Sequence, residues 1–343
     1  MTPSKRNYTI DLIKTFAIFS VVAIHVSAPY VAADVTHPFW PLACFFRSLA
    51  SAGVPLFLMA SGALLLRPEK DMPLEKLYGK NMLRIVLALF FWAFVYRAAP
   101  LYDGIHSIGD LKAALGDLIF FRHKDHLYYL HMMILVYAFL PISRIVTRHA
   151  AKRELRYLLA LWFVLGIFLP NLRAFYPLEG VGAIVLQWIM AFSYSAMGYT
   201  FMGYYLSEEK PPKRRYAPMA AFGFLVVFCG TFTFSRAAGQ LEERFFEGMS
   251  MGVCLWAVGL FALAQHIRLS ERAKTFVVAV SRGSFAIYLV HVLVLDYAKY
   301  FFPGIDSLNP LIGIPAVTLA VFAISYILYK ILSAIPFVRS RLI

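Results

Sequence analysis

Apolar residues in this chain run in long blocks separated by short polar segments. Ten blocks approach the roughly 20 residues that a helix needs to cross a bilayer: 10–29, 42–66, 84–100, 127–143, 157–170, 183–206, 217–234, 248–266, 284–302 and 310–332. Stretches 84–100, 127–143 and 157–170 are short or merge with polar flanks, so nine or eleven spans also fit the pattern. The expected architecture is all-α, a polytopic transmembrane helix bundle of about ten spans in one integral-membrane domain over 1–343. Pro55, Pro141, Pro170 and Pro315 fall at or inside span ends, where a helix bundle tolerates them. The connection 101–126 carries Leu111, Leu115, Leu118, Ile119 and Phe120, a mixed pattern that predicts an interfacial or re-entrant helix.

Composition agrees. Of 343 residues, 60% are apolar and 15% charged, against the roughly one quarter charged that a soluble fold uses to cover its surface. The net charge of +14 would suggest nucleic acid in a soluble protein, but its placement argues otherwise. Of the 33 Lys and Arg, 23 lie in the N-terminus, segments 67–83, 144–156, 207–216 and 267–283, the C-terminus and the adjoining Arg84 and Lys330. The intervening segments carry 8. By the positive-inside rule this alternation predicts both termini in the cytoplasm. The charge sets orientation against a lipid bilayer, and nucleic acid is not an expected partner. Residues 5–28 resemble a signal peptide, but Pro29 follows Ala28 directly and Asp11 and Lys14 interrupt the apolar run, so this stretch is expected to stay as the first span. Cys44, Cys229 and Cys254 show no paired spacing, so neither a disulfide framework nor a zinc site is indicated.

Ionisable groups inside a membrane are costly and are functional candidates for that reason. The first span holds Asp11, Lys14 and His25. Asp11 and Lys14 are three apart and can pair. Lys14 and His25 are eleven apart, about three helical turns plus 20°, so they share a face roughly 16 Å apart along the axis. A snorkelling lysine and an interfacial histidine would account for them as well. The second span carries Arg47 and the small-residue run Ser51 to Gly62, which suits either close helix packing or a gap for a thin ligand past Ser61. Lys80 and Arg84 lie one turn apart and suit phosphate binding, or topology and lipid head groups. Arg122, His123, His126, Tyr128 and His131 cluster before the fourth span, with no third metal ligand evident; His291 lies deep in the ninth.

Taken in order, these segments resemble the integral-membrane acyltransferase 3 family, and within it the short sugar O-acetyltransferases of the enterobacterial common antigen type. The resemblance is carried by Ile10-Asp11-Leu12-Ile13-Lys14 with His25-Val26-Ser27, similar to the family's Arg-x10-His; by Val54-Pro55-Leu56-Phe57-Leu58-Met59-Ala60-Ser61-Gly62; by the basic pair Lys80 and Arg84; by His126-Leu127-Tyr128-Tyr129-Leu130, similar to HLWYL; and by Ser284 to His291, similar to S-x-x-IYLxH. It spans about 8–334. Lys14 stands where the family usually has Arg, and Tyr128 where it has Trp. The resemblance implies acyl transfer from acetyl-CoA as donor to a hydroxyl of a surface or lipid-linked glycan, in the bacterial cytoplasmic (inner) membrane. It implies His25 as general base, with Lys14, paired with Asp11, holding the cofactor's polar arm or orienting the site. Lys80, Arg84 and Ser61 would hold the cofactor, and Arg47, Arg122, His126, Tyr128 and His291 would face the acceptor. No metal is implied. His291 and Asp296 also match the HX4D pattern of glycerolipid acyltransferases, but positions five apart diverge by about 140° on a helix. A transporter or flippase would also explain intramembrane Asp, Lys and His, although the chain shows no internal repeat.

Overall fold

The computed structural model describes residues 6–69, 72–99, 101, 106–175, 186–209 and 212–343, and among them the regular structure is helix alone. In chain order the helices are α1 (Tyr8–Ala32), α2 (Trp40–Ala50), α3 (Gly53–Leu65), α4 (Leu74–Lys76), α5 (Leu83–Ala98), α6 (Ile108–Ile119), α7 (Tyr128–His149), α8 (Lys152–Trp162), α9 (Leu169–Phe175), α10 (Phe192–Glu209), α11 (Lys213–Ala238), α12 (Met251–Ala264), α13 (Glu271–Phe301), α14 (Pro310–Ser333) and α15 (Pro336–Arg341).

Their starts follow local chemistry. Asn7 caps α1, its side chain accepting from the amides of Thr9 and Ile10. Ser250 and Ser270 cap α12 and α13 in the same way, and Asn309 followed by Pro310 opens α14. The second predicted span is two helices, broken at Ser51 and Ala52. Pro55 accounts for the break, because its ring has no N–H and crowds the carbonyl four residues back, at Ser51. Wide π-type turns join α4 to α5 and α8 to α9 into longer helical columns.

Among the described residues, nine helical stretches are long and apolar enough to cross a membrane: Tyr8–Ala32, Trp40–Leu65, Leu74–Ala98, Asp125–His149, Lys152–Arg173, Lys213–Ala238, Glu243–Ala264, Glu271–Phe301 and Pro310–Ser333. The chain is therefore a multi-pass all-α membrane bundle. Three stretches that looked short extend into their basic flanks, where long side chains can reach the interface. The sixth predicted span, 183–206, begins outside the described residues and continues as α10, which is not apolar enough to be counted with the nine. Its surroundings explain why: α10 packs against α3, α7, α8 and α12, so protein surrounds its polar side chains. The contact with α3 is close. A Cβ on Gly62 would meet the backbone of Thr200, and one on Gly203 the backbone of Met59. The small residues of α3 thus serve helix packing along this face.

Helix α1 is central, touching α2, α3, α12, α13 and α14. The basic segments gather at one end of the bundle. Arg6 and Arg67 line one cleft there, Lys152 pairs with Glu209, and Arg144 donates to the carbonyl of Leu65 at 2.8 Å, completing the end of α3. At the other end, α6 exposes Ile108, Leu111, Leu115 and Ile119. Leu118 packs inward instead. This matches a helix lying along the bundle edge rather than inside it.

Candidate active site

Four helical stripes converge on a cavity of about 370 Å³. Phe57 and Ser61 of α3 are one turn apart. Asn81, Arg84 and Ile85 follow at intervals of three and one around the start of α5. Tyr129, Leu130, Met133 and Tyr137 of α7 recur at one, three and four residues. Ser281, Arg282, Ser284, Phe285 and Tyr288 line the cavity from α13, with Ser281, Ser284 or Phe285, and Tyr288 three or four apart, and Lys14 comes from α1. Residues three and four apart share a helix face, so each motif becomes a wall.

Charge is concentrated at the basic end of this cavity, in Lys14, Arg84 and Arg282. Lys14 Nζ donates to the carbonyl of Ser281 at 3.1 Å, tying α1 to α13. The expected pairing of Lys14 with Asp11 is not formed. Asp11 instead accepts two bonds from Arg6, at 2.7 and 2.9 Å. The planar guanidinium reaches both carboxylate oxygens from outside the helix, which an ammonium cannot match, and Lys14 is left to turn toward α13. Asp11 therefore belongs to the helix end and does not line the cavity. Lys80 is exposed and also off the lining, one turn before Arg84 but on the wrong side. Arg84 lies over the ring of Phe285 at 5.6 Å and donates to the carbonyl of Ile343.

The far end of the cavity is closed by Tyr129 and Tyr288, whose ring centroids are 5.4 Å apart. Just beyond lie three imidazoles. His25 of α1 is 5.0 Å from His291 of α13 and 6.0 Å from His126, which sits in the turn before α7; His126 and His291 are 5.6 Å apart. The Tyr288 hydroxyl donates to the His126 carbonyl at 2.5 Å and fixes that turn. The Tyr96 hydroxyl donates to the Leu289 carbonyl at 3.0 Å, and the Tyr96 ring stacks edge-on to His126 at 4.9 Å. Both ring nitrogens of His126, and Nε2 of His291, are buried with no protein partner. A buried polar group left unpaired costs about 1–3 kcal/mol. Such a concentration in one place suits a ligand that brings its own hydrogen-bonding groups. Among the described residues no set of three His, Cys, Asp or Glu side chains is placed to hold a metal ion.

The other expected site residues separate. Arg47 lies over the Phe246 ring at 5.1 Å, near Tyr128 and Glu243, with Nη1 buried and unpartnered. Tyr128 points away from Tyr129 and meets Phe192. Arg122 stays with α6, 3.8 Å from Asp117 and largely exposed. His123 leaves the cluster and pairs with His131 at 3.3 Å. Asp296 accepts from Lys124 at 3.2 Å, consistent with its divergence from His291 along the helix.

A family model for an acyltransferase domain matches residues 7–330. The chain belongs to the acyltransferase 3 family. Searches of curated proteins and of solved structures return no match. In this acyltransferase every cavity and cluster residue from Lys14 to His291 lies within the matched span. The C-terminal Leu342 and Ile343 lie past it, yet they pack beside α5, where the Trp92 indole donates to Leu342 at 3.0 Å.

Sequence reasoning passed over Arg282, Asn81, Tyr129 and Tyr288 as site residues. Arg282 fell in a stretch assigned to a basic loop, but α13 begins at Glu271 and carries it inside the helix. The signal was present in the spacing of Ser281, Ser284, Tyr288 and His291, which continues one stripe through that supposed loop.

Proposed function

We propose that this membrane acyltransferase moves a short acyl group, acetyl in the first instance, from cytoplasmic acyl-CoA to a hydroxyl of a surface or lipid-linked sugar. The observation that carries the proposal is continuity. One column runs from Lys14, Arg84 and Arg282 at the basic end, along a cavity, to Tyr129 and Tyr288, and then to His25, His126 and His291. An anionic nucleotide thioester suits the first part, because guanidinium and ammonium groups bind phosphate well. A thin pantetheine arm suits the middle, past Ser61. The distribution of Lys and Arg supports a basic end facing the cytoplasm, and with it a bacterial inner-membrane setting.

His25 then serves as general base. The acceptor hydroxyl oxygen attacks the thioester carbonyl carbon while His25 takes its proton; the carbon–sulfur bond breaks, and the proton passes to the departing CoA thiolate. An imidazole nitrogen can both take up and return a proton, which suits both directions of transfer. The two nitrogens of His126, which have no protein partner, supply hydrogen-bonding positions for acceptor hydroxyls.

The test uses membrane vesicles with radiolabelled acetyl-CoA and counts label in the glycan fraction. The expected result is protein-dependent transfer that free CoA inhibits. Label absent from the glycan fraction at saturating acetyl-CoA would overturn the proposal.

A further inference from the structure

The geometry points to His291 as a positioning residue for His25: its Nε2 lone pair, which has no protein partner in this structure, accepts the N–H of the neighbouring His25 ring in the transfer step, fixing the tautomer of His25 there and sharing the charge formed on it. The inference rests on the acyl-transfer reading above and deepens it.

The argument begins with a hydrogen bond whose direction is fixed. His291 Nδ1 lies 2.7 Å from the carbonyl of Tyr288 and 3.2 Å from that of Ile287. A carbonyl oxygen only accepts, so Nδ1 carries the proton. In a neutral imidazole the other nitrogen, Nε2, then has a free lone pair. The bond runs within one turn of α13, so the helix sets this tautomer before any substrate arrives. The side chain is 0% exposed, and Nε2 has no protein partner. Among the rings around it, that of His25 is nearest, at 5.0 Å, with His126 at 5.6 Å.

A base that must take a proton at one nitrogen benefits from an acceptor at the other. The acceptor fixes the tautomer and stabilises the imidazolium, the role a carboxylate plays in hydrolytic triads. Here the available carboxylate, Asp296, is engaged by Lys124 at 3.2 Å. A neutral imidazole supplies an acceptor inside the membrane without burying a charge. In the transfer step His25 N–H donates to His291 Nε2, while the other His25 nitrogen takes the hydroxyl proton. His291 neither gains nor loses a proton over the cycle.

The variants His291→Gln and His291→Leu separate this role from packing. Gln keeps an acceptor oxygen near the place of Nε2, whereas Leu keeps the volume and removes the acceptor. In the vesicle assay the Leu variant is expected to lose about 100-fold in kcat with KM for acetyl-CoA within about twofold, and the Gln variant to recover at least tenfold of that loss. Leu equal to or better than Gln would overturn the inference. So would a loss confined to KM. If the Leu variant fails to fold, the comparison is made between Gln and His291→Phe, with the same ordering expected. Active wild-type vesicles with an indifferent position 291 defeat this inference alone; inactive wild-type vesicles defeat the acyl-transfer reading and this inference with it.

Discussion

Two buried polar regions of this bundle treat their hydrogen-bonding groups in opposite ways. Around α8, α9, α10 and α12 the groups bond to one another. The Trp162 indole donates to the Ser195 carbonyl at 2.7 Å, and the Ser195 hydroxyl to Gly166 at 3.0 Å. The Tyr199 hydroxyl donates to Gly248 at 2.6 Å. Asn171 donates to Ile167 and Met249 and accepts from the Met251 amide. Around His25 the opposite holds, with three imidazole nitrogens buried and unpartnered. Both regions are polar and enclosed, so polarity within a membrane does not by itself mark a site. Polar groups that satisfy each other hold helices together; groups left open in one place wait for a ligand.

The largest expected effect lies on the open side. His25→Ala should lower transfer by about 10²–10⁴-fold, the usual worth of a general base, with a thermal midpoint close to wild type. Full activity in the purified variant would remove His25 from the chemistry.

The satisfied region should respond in stability instead. Asn171→Leu strands the amide of Met251 and the carbonyl of Met249, at about 1–3 kcal/mol for each buried group left unpaired. Denaturation should report that loss while turnover per folded molecule holds. A selective loss of turnover would move Asn171 to the other side of the comparison.

His126→Leu sharpens the contrast further. It removes two nitrogens that the protein does not satisfy, so stability should hold or rise, by up to about 1 kcal/mol, while transfer falls at least tenfold. A less stable variant with full activity would show that His126 is held by bonds formed in the native membrane.

The smallest effects concern the basic end. Arg282→Ala, on the cavity wall, should raise KM for acetyl-CoA by about tenfold, the equivalent of roughly 1.4 kcal/mol. Lys80→Ala, off the wall, should change it by less than about twofold. Equal effects would mean that the basic end acts through its overall field rather than through the cavity.

Much of this could be read along the chain. The helical class and the membrane setting follow from block length, because a bilayer demands about 20 apolar residues in succession. The shared face of Lys14 and His25 follows from helical pitch. Even the stripe Ser284, Tyr288 and His291 was visible in its spacing. Less legible were the cases where two side chains competed. Arg6 took Asp11 from Lys14 because a guanidinium meets both carboxylate oxygens, and a neighbour rule for helices cannot see a residue outside the helix. Lys80 and Arg84 looked equivalent until the helix start rotated only Arg84 onto the wall.

The sequence by itself determined that the chain spans a membrane as helices, which residues break or cap them, and which ionisable groups lie inside. Tertiary structure alone decided which of those groups meet. His25, His126 and His291 come from distant parts of the chain, and their approach depends on α1 packing against α13 and on the turn before α7 reaching the same place. Helical periodicity reports the face a residue occupies. It carries no information about the neighbour that face will meet, because that is set by the packing of the whole bundle.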